Sequence, residues 1–346
     1  MIIILSMRSV EPGKCRSRRA TLERKVEFGL GVPHTGRLAS AAYVRDFCQA
    51  ADELGYEGLW TVDHPAIPPH SDSEYTLGSR PRTMPDNSVS DLLAPNYEMT
   101  STMLFVAGIT RRAKIGSNIA ILPLRNPVLN ARMLATLDVY SGGRLIYGVG
   151  VGWLREEAEA MQMPWDRRGA RAEEHIALLR RLWTASGDLV DFSGEFYQVP
   201  PIHPDPRPVQ DPSPPIVIGG HSEVALGRAA RIGDGWTAGP MTFERLVPLV
   251  EQLRRKVADA GRGADEVPIY ANAGFVISSR RDAEVWKFTA PGGAVSVQDA
   301  DRAIERLRAF QELGVHHLRL DFDAPDAAGR LALMQQVAER VLPELR

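Results

Sequence analysis

An aspartate followed directly by a histidine, Asp63-His64, closes the apolar run Gly58–Asp63 (GLWTVD), which has the composition of a buried strand. Histidine titrates nearest neutral pH, so the pair could hold or move a proton beside a reacting group. The plain alternative is an aspartate that caps the next loop and a histidine merely exposed there. Two glycine-rich turns follow later in the chain. Gly148-Val149-Gly150-Val151-Gly152-Trp153 leaves one apolar run, and Ile218-Gly219-Gly220-His221-Ser222 leaves another. Glycines let a ligand or another backbone come close, although tight turning alone also accounts for them. The second turn is the better phosphate candidate, because Ser222 can cap the following helix, whose free N–H groups attract an oxyanion. The first has a dinucleotide-like spacing but no acidic residue placed for a ribose. Arg125, just before a helix start at Asn126-Pro127, could clamp an anion or pair with a carboxylate. Trp236 reads as core. No HExxH, GxSxG, Walker A or Cys/His metal spacing occurs, so hydrolase and metal-centre readings have no footing and no metal ligands are assigned.

Such groups act together only if a scaffold brings strand ends to one place. Strand patterns fall at Val26–Gly31, Gly58–Asp63, Ala113–Leu122, Arg144–Gly150, Pro215–Ile218, Gly235–Ala238, Pro268–Val276 and His316–Asp321. Helical patterns separate them: Ser40–Leu54, Tyr97–Thr110, Pro127–Tyr140, two stretches through Trp183, Ser222–Ile232, Thr242–Ala260, Val297–Leu313 and Ala327–Leu342. A small hairpin is expected over Val190–Val199, turned at Ser193-Gly194. Eight strand-then-helix units predict an α/β fold, a (β/α)8 TIM barrel, with long insertion loops at 64–95, 185–214 and 279–297. In such a barrel the reactive groups gather where strands end, which is where both glycine turns and Asp63-His64 fall.

The chain has 346 residues, with 44% hydrophobic and 24% charged, ordinary for a soluble globular protein. Residues 1–25 are expected to form a disordered extension, with 26–346 as one barrel domain. The extension carries Arg8, Lys14, Arg16, Arg18, Arg19, Arg24 and Lys25 against Glu11 and Glu23, so the body is more acidic than the overall net charge of −2. That balance argues against a nucleic-acid surface. No apolar run is long enough to cross a bilayer. Cys15 and Cys48 lack disulfide-framework or metal spacing, which fits a reducing cytoplasm.

Four stretches together resemble the bacterial luciferase-like monooxygenase superfamily, and most closely its actinobacterial deazaflavin-dependent branch. They are AADELGYEGLWTVDH (50–64), ITRRAKIGSNIAILPLRNPVLNARMLATLDVYSGGRLIYGVGVGWLREE (109–157), DRRGARAEEHIALLRRLW (166–183) and PPIVIGGHSEVALGRAARIGDGW (214–236). The resemblance spans about residues 26–275. It implies a flavin-type cofactor, either coenzyme F420 or FMN. It places Asp63 and His64 near the reactive centre of the tricyclic ring, with His64 as proton donor or acceptor and Asp63 as its orienter or a ring contact. It places a non-prolyl cis peptide near Asn118-Ile119, the ring and ribityl chain beside Gly150, Val151 and Gly152, and the phosphate beside Gly219, Gly220 and Ser222. The leading expectation is hydride transfer between reduced deazaflavin and a small organic substrate. The rivals are an FMN-dependent monooxygenase that uses O2 and a flavin-binding protein without catalysis. A homodimer is implied by resemblance alone. The sequence departs from relatives at NYEMTSTMLFVAGIT, where they commonly start with Asp-Pro, and after the seventh strand (SSRRDAEVWKFTAPGGAVS).

Overall fold

In the computed structural model, eight parallel strands close into a barrel ringed by helices; residues 25–69, 71–73, 95–187, 189–280 and 291–346 are described. The order begins β1 (Glu27–Gly31), α1 (Ala41–Glu53), β2 (Gly58–Thr61), α2 (Met99–Ile109), β3 (Lys114–Ile121), α3 (Pro127–Ser141), β4 (Leu145–Gly150), α4 (Arg155–Ala160) and α5 (Arg168–Trp183). After an outlying antiparallel hairpin, β5 (Val190–Ser193) and β6 (Gln198–Ile202), the units resume. They are β7 (Ile216–Gly219), α6 (Glu223–Ile232), β8 (Gly235–Thr237), α7 (Phe243–Asp259), β9 (Ile269–Ser278), β10 (Ala294–Ser296), α8 (Ala300–Glu312), β11 (His317–Asp323) and α9 (Ala327–Arg340). Going round the barrel the order is β1, β2, β3, β4, β7, β8, β9, β11, and β11 pairs with β1 to close it.

The strands form where the sequence places apolar runs because parallel barrel strands are covered on both sides. One face packs outward against the helices in the main core. On the inner face, Trp60, Ile146, Val217 and Tyr270 form a separate cluster. Helix starts follow their caps. The Ser40 hydroxyl accepts from Tyr43 N at 3.1 Å, and Asn126 caps α3 with Pro127 in its first turn. The entry to α2 is capped by the Glu98 carboxylate, which accepts from Thr100 N at 2.9 Å and Ser101 N at 2.6 Å.

Two expectations need correction. The loop at 279–297 is not structureless at its end: β10 pairs in parallel with the upper part of β9, through Ala294 and Val276, Val295 and Ile277, and Ser296 and Ser278. The ten residues of β9 outrun β8, which pairs only with Ile269 and Tyr270, so the upper edge takes another strand. Helix α8 accordingly starts at Ala300 rather than Val297. The basic extension, most of the loop at 64–95 and residues 281–290 lie outside the described residues. No helix among the described residues is long and apolar enough to cross a membrane.

Candidate active site

Strand β3 reaches the C-terminal mouth through a cis peptide bond at Asn118-Ile119, the bond that the resemblance singled out. There its register with β4 shifts between Ser117 and Ala120. The glycines of the neighbouring strands answer to this irregularity. A Cβ on Gly148 would collide with the Ser117 carbonyl oxygen; one on Gly150 would come within 2.6 Å of Ile119 Cδ1, and one on Gly219 within 2.7 Å of Ile119 Cγ2. Their first purpose is therefore to admit β3 and the Ile119 side chain rather than a ligand. Gly152 and Gly220 differ, with φ of 76° and 126°, where a side chain is strained. The Gly220 carbonyl accepts from Trp236 Nε1 at 2.7 Å, and Trp236 is fully buried, so it is core.

Asp63 is committed to structure as well as to the site. Its Oδ2 accepts from Ile121 N at 2.7 Å, and its Oδ1 from Arg125 Nη2 at 2.8 Å. The two side chains are 2% and 13% exposed. Burial alone would lower the Arg125 pKa, and the Asp63 carboxylate more than reverses this. The open question about Arg125 thus resolves to a carboxylate pair. Behind it, burial pushes the Tyr147 phenol up to about 12. Asn130 links Tyr147 to His175, and burial plus the Arg125 charge pulls that imidazole down to about 3.

His64 has another carboxylate beside it. Its Nδ1 lies 3.3 Å from Glu157 Oε2, and Glu157 is 1% exposed. The other oxygen of Glu157 accepts from Ala66 N at 3.2 Å. The neighbouring Glu156 accepts from Ser71 Oγ at 3.1 Å, Asp72 N at 2.8 Å and Ser73 Oγ at 2.8 Å. The start of the loop after β2 is thereby stitched to α4, the helix after β4. Sequence reasoning missed Glu157. Its only signal was a pair of acids in a helical first turn, which reads as complementing the helix dipole.

The structure gathers Asp63, His64, Asn118, Ile119, Gly150, Val151, Gly152, Gly219 and Gly220 around one cavity of about 230 Å³, open to solvent. Ser222 is not on its wall; it caps α6, accepting from Ala225 N at 3.2 Å. The floor comes from strand ends that carried no readable motif. Asn118 Nδ2 donates to Asn272 Oδ1 at 3.1 Å, Thr237 Oγ1 donates to Asn118 Oδ1 at 3.3 Å, and Arg319 Nη2 donates to Asp321 Oδ1 at 2.9 Å.

A planar heteroaromatic ring with a polar edge and an anionic tail fits these residues. The amides and hydroxyl of the floor offer donors and acceptors to the edge. Beside the cavity, a narrower recess is lined by Val151, Gly152, Trp165 and Arg168. The Arg168 guanidinium stacks 4.0 Å from the Trp165 ring centre, and its buried Nε has no hydrogen-bond partner among the described residues. Burial and the nearby Arg155 cation lower the Arg168 pKa. An anion would relieve both conditions.

The chain is similar in sequence or in fold to several known proteins. A dimethylsulfone monooxygenase of Pseudomonas putida, dependent on FMNH2, is 38% identical over 169 residues, covering 48% of this chain and 44% of that protein. A phthiodiolone/phenolphthiodiolone dimycocerosates ketoreductase of Mycobacterium tuberculosis is 30% identical over 259 residues, covering 71% and 64%. The coenzyme F420 dependent tetrahydromethanopterin reductase of Methanopyrus kandleri shares the fold, with a TM-score of 0.68 at 18% identity over 93% of this chain and 100% of that one. The profile of the luciferase-like monooxygenases matches residues 26–292. The chain therefore belongs to the luciferase-like monooxygenase family; among its relatives and fold neighbours one is named as FMNH2-dependent and another as coenzyme F420 dependent.

Proposed function

We propose that this enzyme transfers a hydride between a reduced deazaflavin, coenzyme F420, and a small organic substrate. The observation that carries the reading is the buried imidazole of His64 on the cavity wall, backed by a carboxylate. Reducing a carbonyl requires a hydride at carbon and a proton at oxygen, and the bound cofactor would supply the hydride. His64 gives or takes the proton, the role that imidazole side chains most often fill in acid–base catalysis. The ketoreductase relative supports the same reading, since its name describes the reduction of a ketone. Ile119, braced by the two glycine turns, would support the ring. Asp63 keeps Ile121 N–H and Arg125 fixed beside it. Gly219, Gly220 and the capped start of α6 at Ser222 would face the phosphate end, with Arg168 as a further cation. Val62, Ile121 and Trp153 give the cavity an apolar wall, which would limit water around a bound ring.

A titration of the purified protein with deazaflavin and with FMN, followed by fluorescence quenching, tests the reading. Tight deazaflavin and weak FMN binding is expected. The reverse would favour the second reading, an FMN-dependent monooxygenase using O2, which the 38% identical relative supports. Pairing of two chains belongs to the same proposal. Its support is the family resemblance and the exposed Phe105, Leu129 and Tyr140 on the neighbouring helices α2 and α3. Light scattering should give twice the chain mass.

A further inference from the structure

We infer that Glu157 is a positioning residue that fixes the tautomer of His64, so that in the neutral ring Nδ1 carries the proton and Nε2 is the atom through which the ring exchanges one. The inference rests on the reading of His64 as the proton-exchanging group, but its test does not. The argument starts from what a buried carboxylate needs. Glu157 is 1% exposed, and a carboxylate in that position must accept hydrogen bonds from its surroundings. One oxygen accepts from Ala66 N at 3.2 Å. The other lies 3.3 Å from His64 Nδ1. A carboxylate oxygen can only accept, so the nitrogen facing it must donate. In a neutral imidazole this assigns the single N–H to Nδ1 and leaves Nε2 with its lone pair.

The placement of Glu157 gives the arrangement further meaning. It sits in the first turn of α4, directly after the Gly150-Val151-Gly152 turn that lines the cavity. One side chain therefore spans from the end of β4 to the end of β2, 93 positions apart in sequence. It grips both the imidazole and the backbone two residues beyond it. Trp153 meets the His64 ring edge-on at 6.3 Å and limits its rotation. The same logic orients imidazoles elsewhere in enzymes, where a buried carboxylate on one ring nitrogen sets what the other can do.

The carboxylate also predicts what its amide analogue does. In Glu157→Gln one oxygen and one NH2 must serve two partners that previously both donated. The backbone N–H of Ala66 cannot become an acceptor, whereas an imidazole can change tautomer. The amide oxygen should therefore stay with Ala66 and the NH2 should turn to His64, which must present a bare Nδ1 and move its proton to Nε2.

The experiment is 15N NMR of the full-length protein with 15N-labelled histidine, recorded at alkaline pH where imidazoles are neutral. The His64 signals are assigned by their loss in His64→Asn. Expected is the Nδ1–H form in the parent and a switch to the Nε2–H form in Glu157→Gln. In Glu157→Met, which removes both oxygens at similar length, the Nδ1–H form should also lose its dominance, since free imidazole prefers Nε2–H. An Nε2–H histidine in the parent would overturn the inference without any variant being needed. So would an Nδ1–H form kept in both variants, the pattern of a merely structural glutamate. Because no cofactor or substrate is added, a failed turnover assay would bear on the proposed function and leave this result standing.

Discussion

The two mouths of the barrel use the same strands to opposite ends. At the N-terminal mouth, Glu27, Lys114 and His317, the first residues of β1, β3 and β11, satisfy one another. Lys114 Nζ lies 2.6 Å from Glu27 Oε2, and His317 Nδ1 lies 2.8 Å from the same oxygen. His317 stacks on Tyr270 with ring centres 4.1 Å apart and 3° between planes, and Trp60 closes the layer edge-on. Burial would raise the Glu27 pKa, but His317 and Lys114 outweigh it and hold the carboxyl at about 2. Ligand chemistry has little room there. At the C-terminal mouth β4 and β7 end in glycines, and the paired polar groups line an open cavity instead of sealing it. A barrel thus separates what holds it together from what it does, end from end.

Substitutions can break or sharpen that division. The largest effect is expected at His64. His64→Ala should lower turnover by about 10²–10⁴-fold, the usual contribution of a positioned acid or base, while deazaflavin affinity in a binding titration changes little. Unchanged turnover would remove His64 from the chemistry and leave the contrast between the mouths without its functional half. Next is Asp63→Asn, which strands the Arg125 cation in a buried setting and should cost about 3–5 kcal/mol in urea unfolding. A near-neutral result would show that the catalytic mouth does not depend on that pair for its shape. Gly219→Ala drives a methyl into Ile119 and should cost about 1–3 kcal/mol and weaken cofactor binding; full retention of both would refute the close packing at that point.

The smallest effect is expected at the sealed mouth. Lys114→Met should cost at most about 1 kcal/mol, since the pair is partly exposed and screened, and turnover should stay as it was. A drop in turnover would mean that the two ends are coupled. The pH dependence has a definite sign. The folded pKa of Glu27 lies below its ordinary 4.5, so its stabilisation is complete above that value and is lost as the pH falls through about 2. Lys114→Met should therefore lower the neutral plateau of a stability–pH curve and flatten its acid limb, so that parent and variant converge as the pH falls through about 2.

What the sequence disclosed follows the range of the forces involved. Strands and helices are local: apolar runs between glycines and prolines, and caps at Ser40, Asn126 and Ser222, are visible in short windows. The site residues Asp63, His64 and the glycine turns could be proposed because they sit at strand ends. The partnerships could not. Glu157 and His64 meet across 93 positions, and Asn118 and Asn272 across 154, with no spacing rule to join them. Strand β10 was hidden because three residues without strong alternation look like loop. The alternating glycines around 150 were visible, yet their purpose was not, since a missing side chain does not say which neighbour fills its place.

The packing of Ile119 into gaps at both Gly150 and Gly219 has a consequence for how such a pocket can evolve. None of the three positions can drift alone. Alanine at 150 or 219 is unfavourable while isoleucine stands at 119, and a smaller residue at 119 leaves a void that those glycines cannot fill. After Ile119→Ala, alanine at 150 loses its close contacts and alanine at 219 keeps only the tight approach to the Val149 carbonyl, so the paired changes should show non-additive stability, most strongly at 150. Lineages that reshape this wall must cross such a pair in order, shrinking 119 first, and any library built to redesign the pocket will find its viable members among combinations rather than single replacements.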